Sequence, residues 1–133
     1  MIQRTLSIGK LSRLVGVSSH ALRYYEAAGI LRPAVRSSSG HRQYHADDVA
    51  WLEFVLRLKL TGMPLADIKQ YAALRSQGAP TLQARLAMLK RHREHLVARL
   101  DALSTCVSLL DDKMLAYHKL IDELPIAPER TTA

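Results

Sequence analysis

The sequence predicts an all-α chain with a small β wing: a winged helix-turn-helix head followed by one long helix that seeks a partner. Three observations carry this. Two short capped helices near the N-terminus precede a serine- and arginine-rich stretch that interrupts any helical period. Two further helical segments follow. From Leu82 a 3–4 apolar repeat then runs for about forty residues.

Ser7 is placed to cap a first helix through Ile8, Leu11, Leu14 and Val15, and Gly16 is placed to end it in the left-handed conformation. Ser18 or Ser19 caps the next, whose apolar face is Ala21, Leu22, Tyr25 and Ala28, before Gly29 stops it. This pair, about residues 8–27, buries its inner faces and leaves His20, Arg23 and Tyr24 on the free side. "RPAVRSSSGHRQY", within about 33–45, reads as a hairpin loop or wing, because Pro33, three serines and Gly40 break helical order. "DDVAWLEFVLRLKL" is helical again, with Val49, Leu52, Val55, Leu56 and Leu60 on one face and Asp47 and Asp48 in the first turn, where the helix dipole favours acids. A fourth helix starts near Pro64 and carries Leu65, Ile68, Tyr71 and Ala72 to about Arg75.

"SQGAP" separates this head from the long helix, which Thr81 is placed to cap. Alternating steps of four and three from Leu82 give Leu86, Leu89, Arg93, Leu96, Leu100, Leu103, Val107, Leu110, Met114, Tyr117 and Ile121. With Leu86 as a and Leu89 as d this is a coiled-coil heptad over 81–121, about 60 Å at 1.5 Å per residue. A narrow stripe on so long a helix needs a second long helix, which the chain lacks, so the predicted partner is a second copy. Arg93, the charged seam position, is placed to set register. Residues 122–133, with two prolines and no period, read as a loose tail.

The chain carries 19 Lys and Arg against 12 Asp and Glu, a formal +7. Residues 1–80 hold 11 basic against 5 acidic residues, net +6, and the remainder 8 against 7, net +1. A polyanion is therefore the expected partner, and the head is the part that binds it. No apolar run approaches the roughly 18 residues of a membrane span, and "MIQRTLSIGK" lacks a signal-peptide core, so the expected location is cytoplasmic. A nucleophile with a paired base, a phosphate-cradling glycine loop and convergent carboxylates are all missing from the pattern, so an enzyme is not expected.

These segments, in this order and spacing, resemble the MerR family of bacterial transcription regulators over residues 6–75. "SIGKLSRLVGVSSHALRYYEAAGIL" resembles its first two helices, "VRSSSGHRQY" its wing, and "DDVAWLEFVLRLKLTGMPLADIKQY" the helix pair that completes its DNA-binding domain. The resemblance implies that Ser18, Ser19, His20, Arg23 and Tyr24 face the major groove, with Tyr25 turned toward the core. It also implies backbone contacts from Arg36, His41, Arg42 and Tyr44 in the wing and from Lys59 in the third helix. The long helix corresponds to the family's antiparallel dimer coiled coil. Promoter DNA, a second subunit, RNA polymerase and a small-molecule effector are the partners it implies, and the implied action is to bend and untwist an overlong promoter spacer.

Plainer readings stand beside these. Arg23 can pair with Glu26 on its own helix, the wing arginines can be ordinary loop charges, and Tyr44 can pack under the wing. Cys106, at heptad position g, is the candidate sensor thiol; the plainer reading is an inert thiol with nothing basic within one turn. The family's soft-metal branch carries paired cysteines after the dimer helix where this chain has "YHKLIDELP", and a single cysteine excludes a cysteine-rich iron–sulfur site, so no cofactor is expected. His92, His95 and Glu94 could suggest a divalent metal but read first as a solvated helix face. Two rival functions remain: an architectural DNA-binding factor without a ligand, and a coiled-coil adaptor whose basic head binds protein or RNA.

Overall fold

The structure is a computed structural model that describes residues 4–126. In chain order its elements are β1 (Thr5–Leu6), α1 (Ile8–Val15), α2 (Ser19–Ala27), β2 (Val35–Arg36), β3 (Arg42–His45), α3 (Asp48–Leu60), α4 (Leu65–Ser76), a 3-10 turn (Ala79–Thr81) and α5 (Leu82–Asp122). The chain divides into two compact units between His92 and Arg93.

In the first unit, Ser7 accepts a hydrogen bond from the Lys10 amide and Ser18 one from the Ala21 amide, so each short helix starts at a satisfied N-terminus. Gly16 closes α1 at φ 74°, where a side chain would be strained. Leu11 of α1, Leu22 of α2, Leu31 of the following loop and Leu52 of α3 have no exposed surface and form the centre of the core. Trp51 donates its indole N–H to the Ile30 carbonyl at 2.7 Å, stacks on Tyr71 of α4 at 5.9 Å, and carries the Arg75 guanidinium 4.2 Å from its ring centre. These contacts join the loop after α2 to the third and fourth helices.

The sheet has three antiparallel strands in the order β1-β3-β2, with Leu6 opposite Tyr44 and Arg36 opposite Arg42. The wing hairpin is as expected, whereas β1 is not. "RTL" is too short to show an alternating pattern, and it becomes a strand because β3 offers an unpaired edge.

Several local expectations are corrected. Leu14 is exposed, because Ile8, Leu11 and Val15 lie to one side of it on the α1 surface. Leu60 is 83% exposed: α3 packs on both α1 and α4, which moves the buried arc toward Trp51, Val55 and Leu58 and away from the last residue. Asp48 lies in the first turn of α3 as expected and is in addition 1% exposed, paired with Arg32 at 3.1 Å. Pro64 sits at the N-cap, one residue before α4. Thr81 does not use its hydroxyl to cap α5; it donates to the Leu74 and Gly78 carbonyls at 2.6 and 2.8 Å and accepts from Arg85 Nε at 3.0 Å.

The first unit continues past residue 75 through the opening turns of α5, where Met88 is buried and Leu89 packs partly against the core. His92 Nε2 shares a 2.8 Å hydrogen bond with Thr61 Oγ1 at the end of α3. The second unit consists of α5 from Arg93 onward and its exit. There Leu100, Leu103, Val107, Leu110, Met114, Tyr117 and Ile121 are all exposed, and only Leu96 is partly covered. Helix α5 ends at Asp122 inside the expected tail, residues 123–126 are exposed, and 127–133 lie outside the described residues.

Candidate nucleic-acid interface

The exposed side of α2 is built as its spacing predicts. Leu22 and Tyr25 point inward, leaving His20, Arg23 and Tyr24 at the surface. Ser18 is exposed but committed to its cap, and Ser19 is half-buried. The Tyr24 ring meets Tyr25 edge-on at 6.0 Å, so the buried tyrosine holds the exposed one.

Two depressions flank this helix. One, of about 540 Å³, is lined by Arg23 of α2, by Ser7 and Ile8 at the start of α1, and by Gly40, His41, Arg42 and Gln43 of the wing. It brings two predicted contact groups, far apart in sequence, to one cleft. The other, of about 550 Å³, runs from His20, Tyr24 and Tyr25 across to Lys59, Met63, Leu65 and Ile68, with Lys59 Nζ 6.0 Å above the Tyr25 ring. Lys59 thereby joins the α2 surface despite standing 35 positions after Tyr24 in sequence.

Two predicted wing contacts are placed otherwise. Arg36 turns back on the hairpin tip, donating to the Gly40 carbonyl at 3.1 Å, and lines a third depression with Thr5, Val35, Ser37, Gln43 and His45 instead of the Arg23 cleft. Tyr44 is 1% exposed, so its ring belongs to the core and supports the wing from beneath. The register of β3 turns this side chain inward.

Glu26 takes partners other than Arg23, the local one that helix spacing offers. Its Oε1 accepts from the Ala34 amide at 3.0 Å, while Oε2 accepts from the Tyr44 hydroxyl at 2.7 Å and from Arg42 Nη1 at 3.4 Å. One carboxylate thus ties α2 to β3 and to the residue just before β2, and Arg23 lines the cleft. Burial pushes the Tyr44 phenol above its ordinary value, and donation to the Glu26 carboxylate pushes it further, opposed by Arg42. The available signal was composition: Glu26 is the acid of α2, set among basic and aromatic neighbours.

Cys106 is exposed in the second unit. His92 is engaged by Thr61, and among the described residues no group of three or more His, Cys, Asp or Glu is placed to hold a metal ion. No helix among them is long and apolar enough to cross a membrane.

Comparison with known proteins supplies the context for this geometry. Residues 6–74 match the model of the MerR HTH family regulatory proteins, and residues 49–113 match the MerR DNA-binding model. An HTH-type transcriptional regulator of Haemophilus influenzae is 30% identical over 115 residues, covering 86% of this chain and 85% of its own. A heavy metal-dependent transcription regulator of Rhizobium meliloti is 34% identical over 127 residues, covering 92% and 83%. Among solved structures, HiNmlR, a MerR family regulator lacking the sensor domain and bound to promoter DNA, superposes with a TM-score of 0.76 at 29% identity, covering 90% of this chain and 95% of that one. The head, the wing and the long C-terminal helix all fall within these matches, and the chain belongs to the MerR family of helix-turn-helix transcriptional regulators.

Proposed function

We propose that this regulator works as a cytoplasmic homodimer that seats two copies of α2 in successive major grooves of a pseudo-palindromic promoter site, about one helical turn apart. The cleft that gathers Arg23, His41 and Arg42 supports this reading, because it brings basic side chains of α2 and of the wing to one surface, as base reading joined to a backbone grip requires. Within it Arg23 reaches a base edge or phosphate, Arg42 and His41 hold the strand backbone, and Lys59 holds the phosphate on the far side of α2. The switching step is a bend and untwist of the promoter spacer, its deformation energy of a few kcal/mol offset by backbone contacts, so that RNA polymerase meets both promoter elements. An effector would bias that bend.

A ligand-independent architectural role is the second reading. The match to a regulator described as lacking its sensor domain favours it. A gel-shift titration against the chain's own upstream DNA at two salt concentrations, with Arg23→Ala alongside, tests the proposal. Saturable binding that weakens steeply with salt and is lost in the variant is the expected result. Equal binding to random DNA would overturn sequence-specific regulation and leave the architectural role, whereas loss of salt dependence would overturn both.

A further inference from the structure

The one charged position in the long helix's seam, Arg93, is not absorbed by the DNA interface, nor is the one acid that flanks that seam. Between Arg93 and Asp122 the e and g positions are Val97, Arg99, Ser104, Cys106, Asp111, Lys113, His118 and Leu120, so Asp111 stands alone in sign. Both Arg93 and Asp111 are exposed, and neither side chain has a hydrogen bond or ion pair among the described residues. The apolar residues between them, Leu100, Leu103, Val107 and Leu110, are 56–62% exposed, a stripe that a single chain leaves open to water.

We infer that a second copy of this chain covers that stripe in one antiparallel register, in which Arg93 packs across from Leu110 of the partner subunit and forms an ion pair with Asp111 of the partner subunit. The inference rests on the dimer reading above and adds its register. Parallel pairing is disfavoured, because equal positions then face each other and Arg93 would meet its own copy inside the seam. In antiparallel pairing an a residue lies level with a d residue, and the partner's e residue lies on the same side of the interface as that a residue. The register that levels Arg93 with Leu110 also levels Leu96 with Val107 and Leu100 with Leu103, so the four-three spacing closes symmetrically about a twofold axis.

A slip of one heptad in either direction keeps an apolar seam but loses the charge match. In one direction Arg93 is level with Leu103 and flanked by Ser104, while Arg99 faces Arg99 across the axis. In the other, Arg93 is level with Tyr117 and flanked by His118, Arg99 approaches Lys113, and the two copies of Cys106 come face to face. The apolar stripe tolerates all three registers; the Arg93–Asp111 pair selects one by penalising the others. Cys106 then lies across from Arg99 of the partner subunit, away from its own copy.

The test is sedimentation equilibrium of the full chain as wild type, Arg93→Asp, Asp111→Arg and the double swap, with circular dichroism verifying helix content. Each single reversal is expected to raise the dimer dissociation constant about tenfold, and the swap to recover most of it. In parallel, mild oxidation of the wild type is expected to leave Cys106 uncrosslinked. Failure of the swap to recover affinity, or quantitative Cys106–Cys106 disulfide formation in the folded dimer, would overturn the register while leaving the dimer standing. A wild type that stays monomeric across the micromolar range would overturn both.

Discussion

The two units of this chain treat the same kind of residue in opposite ways. In the head, leucines at helical spacing close on one another until Leu11, Leu22, Leu31 and Leu52 have no exposed surface. Along α5 beyond His92, leucines at equally regular spacing stay exposed, Leu103 at 60%. The difference lies in what each period can meet. Four short helices and a wing supply several faces that fold onto each other, whereas the stripe along α5 is covered by no second face among the described residues. Regular hydrophobic spacing therefore records a demand for burial without saying whether the same molecule meets it.

The largest effect that would sharpen this contrast is in the head. Leu22→Ala empties a fully buried site on the inner face of α2 and is expected to lower the head's stability by about 2–5 kcal/mol in urea unfolding. Leu103→Ala removes the same atoms from an exposed site. It is expected to leave that transition within about 0.5 kcal/mol under conditions where the chain is monomeric, and to act on the dimer dissociation constant instead. Equal losses at both positions would show that the long helix finds a partner within its own chain.

Next in size is the ion pair under the start of α3. Arg32→Met leaves the Asp48 carboxylate buried without its partner and is expected to cost about 1–2 kcal/mol, limited because nearly half of the Arg32 side chain already meets water. Asp48→Asn in the same background should recover part of the loss, because the buried charge is gone.

Smaller still is the strut beneath the wing. Tyr44→Phe removes the phenol donated to Glu26 and is expected to cost about 1 kcal/mol. It also carries a pH signature. The native phenol holds its proton more tightly than an unfolded tyrosine, so its contribution is complete below the ordinary value of 10.0 and is lost as pH rises through the higher native value. Wild type should therefore lose stability on the alkaline side more steeply than Tyr44→Phe, measured by urea midpoints between neutral pH and pH 11. Identical slopes would place the pH dependence elsewhere. At the bottom of the scale, Leu60→Ser is expected to change head stability by less than about 0.5 kcal/mol, because its side chain stands in water.

The parts of the fold that were legible are those with local causes. Ser7, Ser18 and Gly16 act within one turn of themselves, so their roles follow from identity and position. The wing was readable from its helix-breaking residues, and the exposure of His20, Arg23 and Tyr24 from the apolar face opposite. What stayed hidden depends on distant segments. β1 exists because β3 presents an edge, and Leu60 is bare because α3 is squeezed from two sides. Tyr44 is a strut because its strand register points it inward. Glu26 is the sharpest case. Three positions from Arg23 on one helix, it is the natural local partner for that arginine, yet the wing takes both its oxygens.

By itself the sequence determined the helices, the wing and most of their ends, the basic head, and the regular apolar stripe of the long helix, because capping, periodicity and charge are properties of neighbours along the chain. Only the tertiary structure decided which side chains meet: Arg23 with Arg42 and His41 at one cleft, Tyr24 with Lys59 at another, and Asp48 with Arg32 in a buried ion pair. Those pairings cross 16 or more residues of chain, and they depend on how the helices and the wing pack in space, a distance that no local pattern measures.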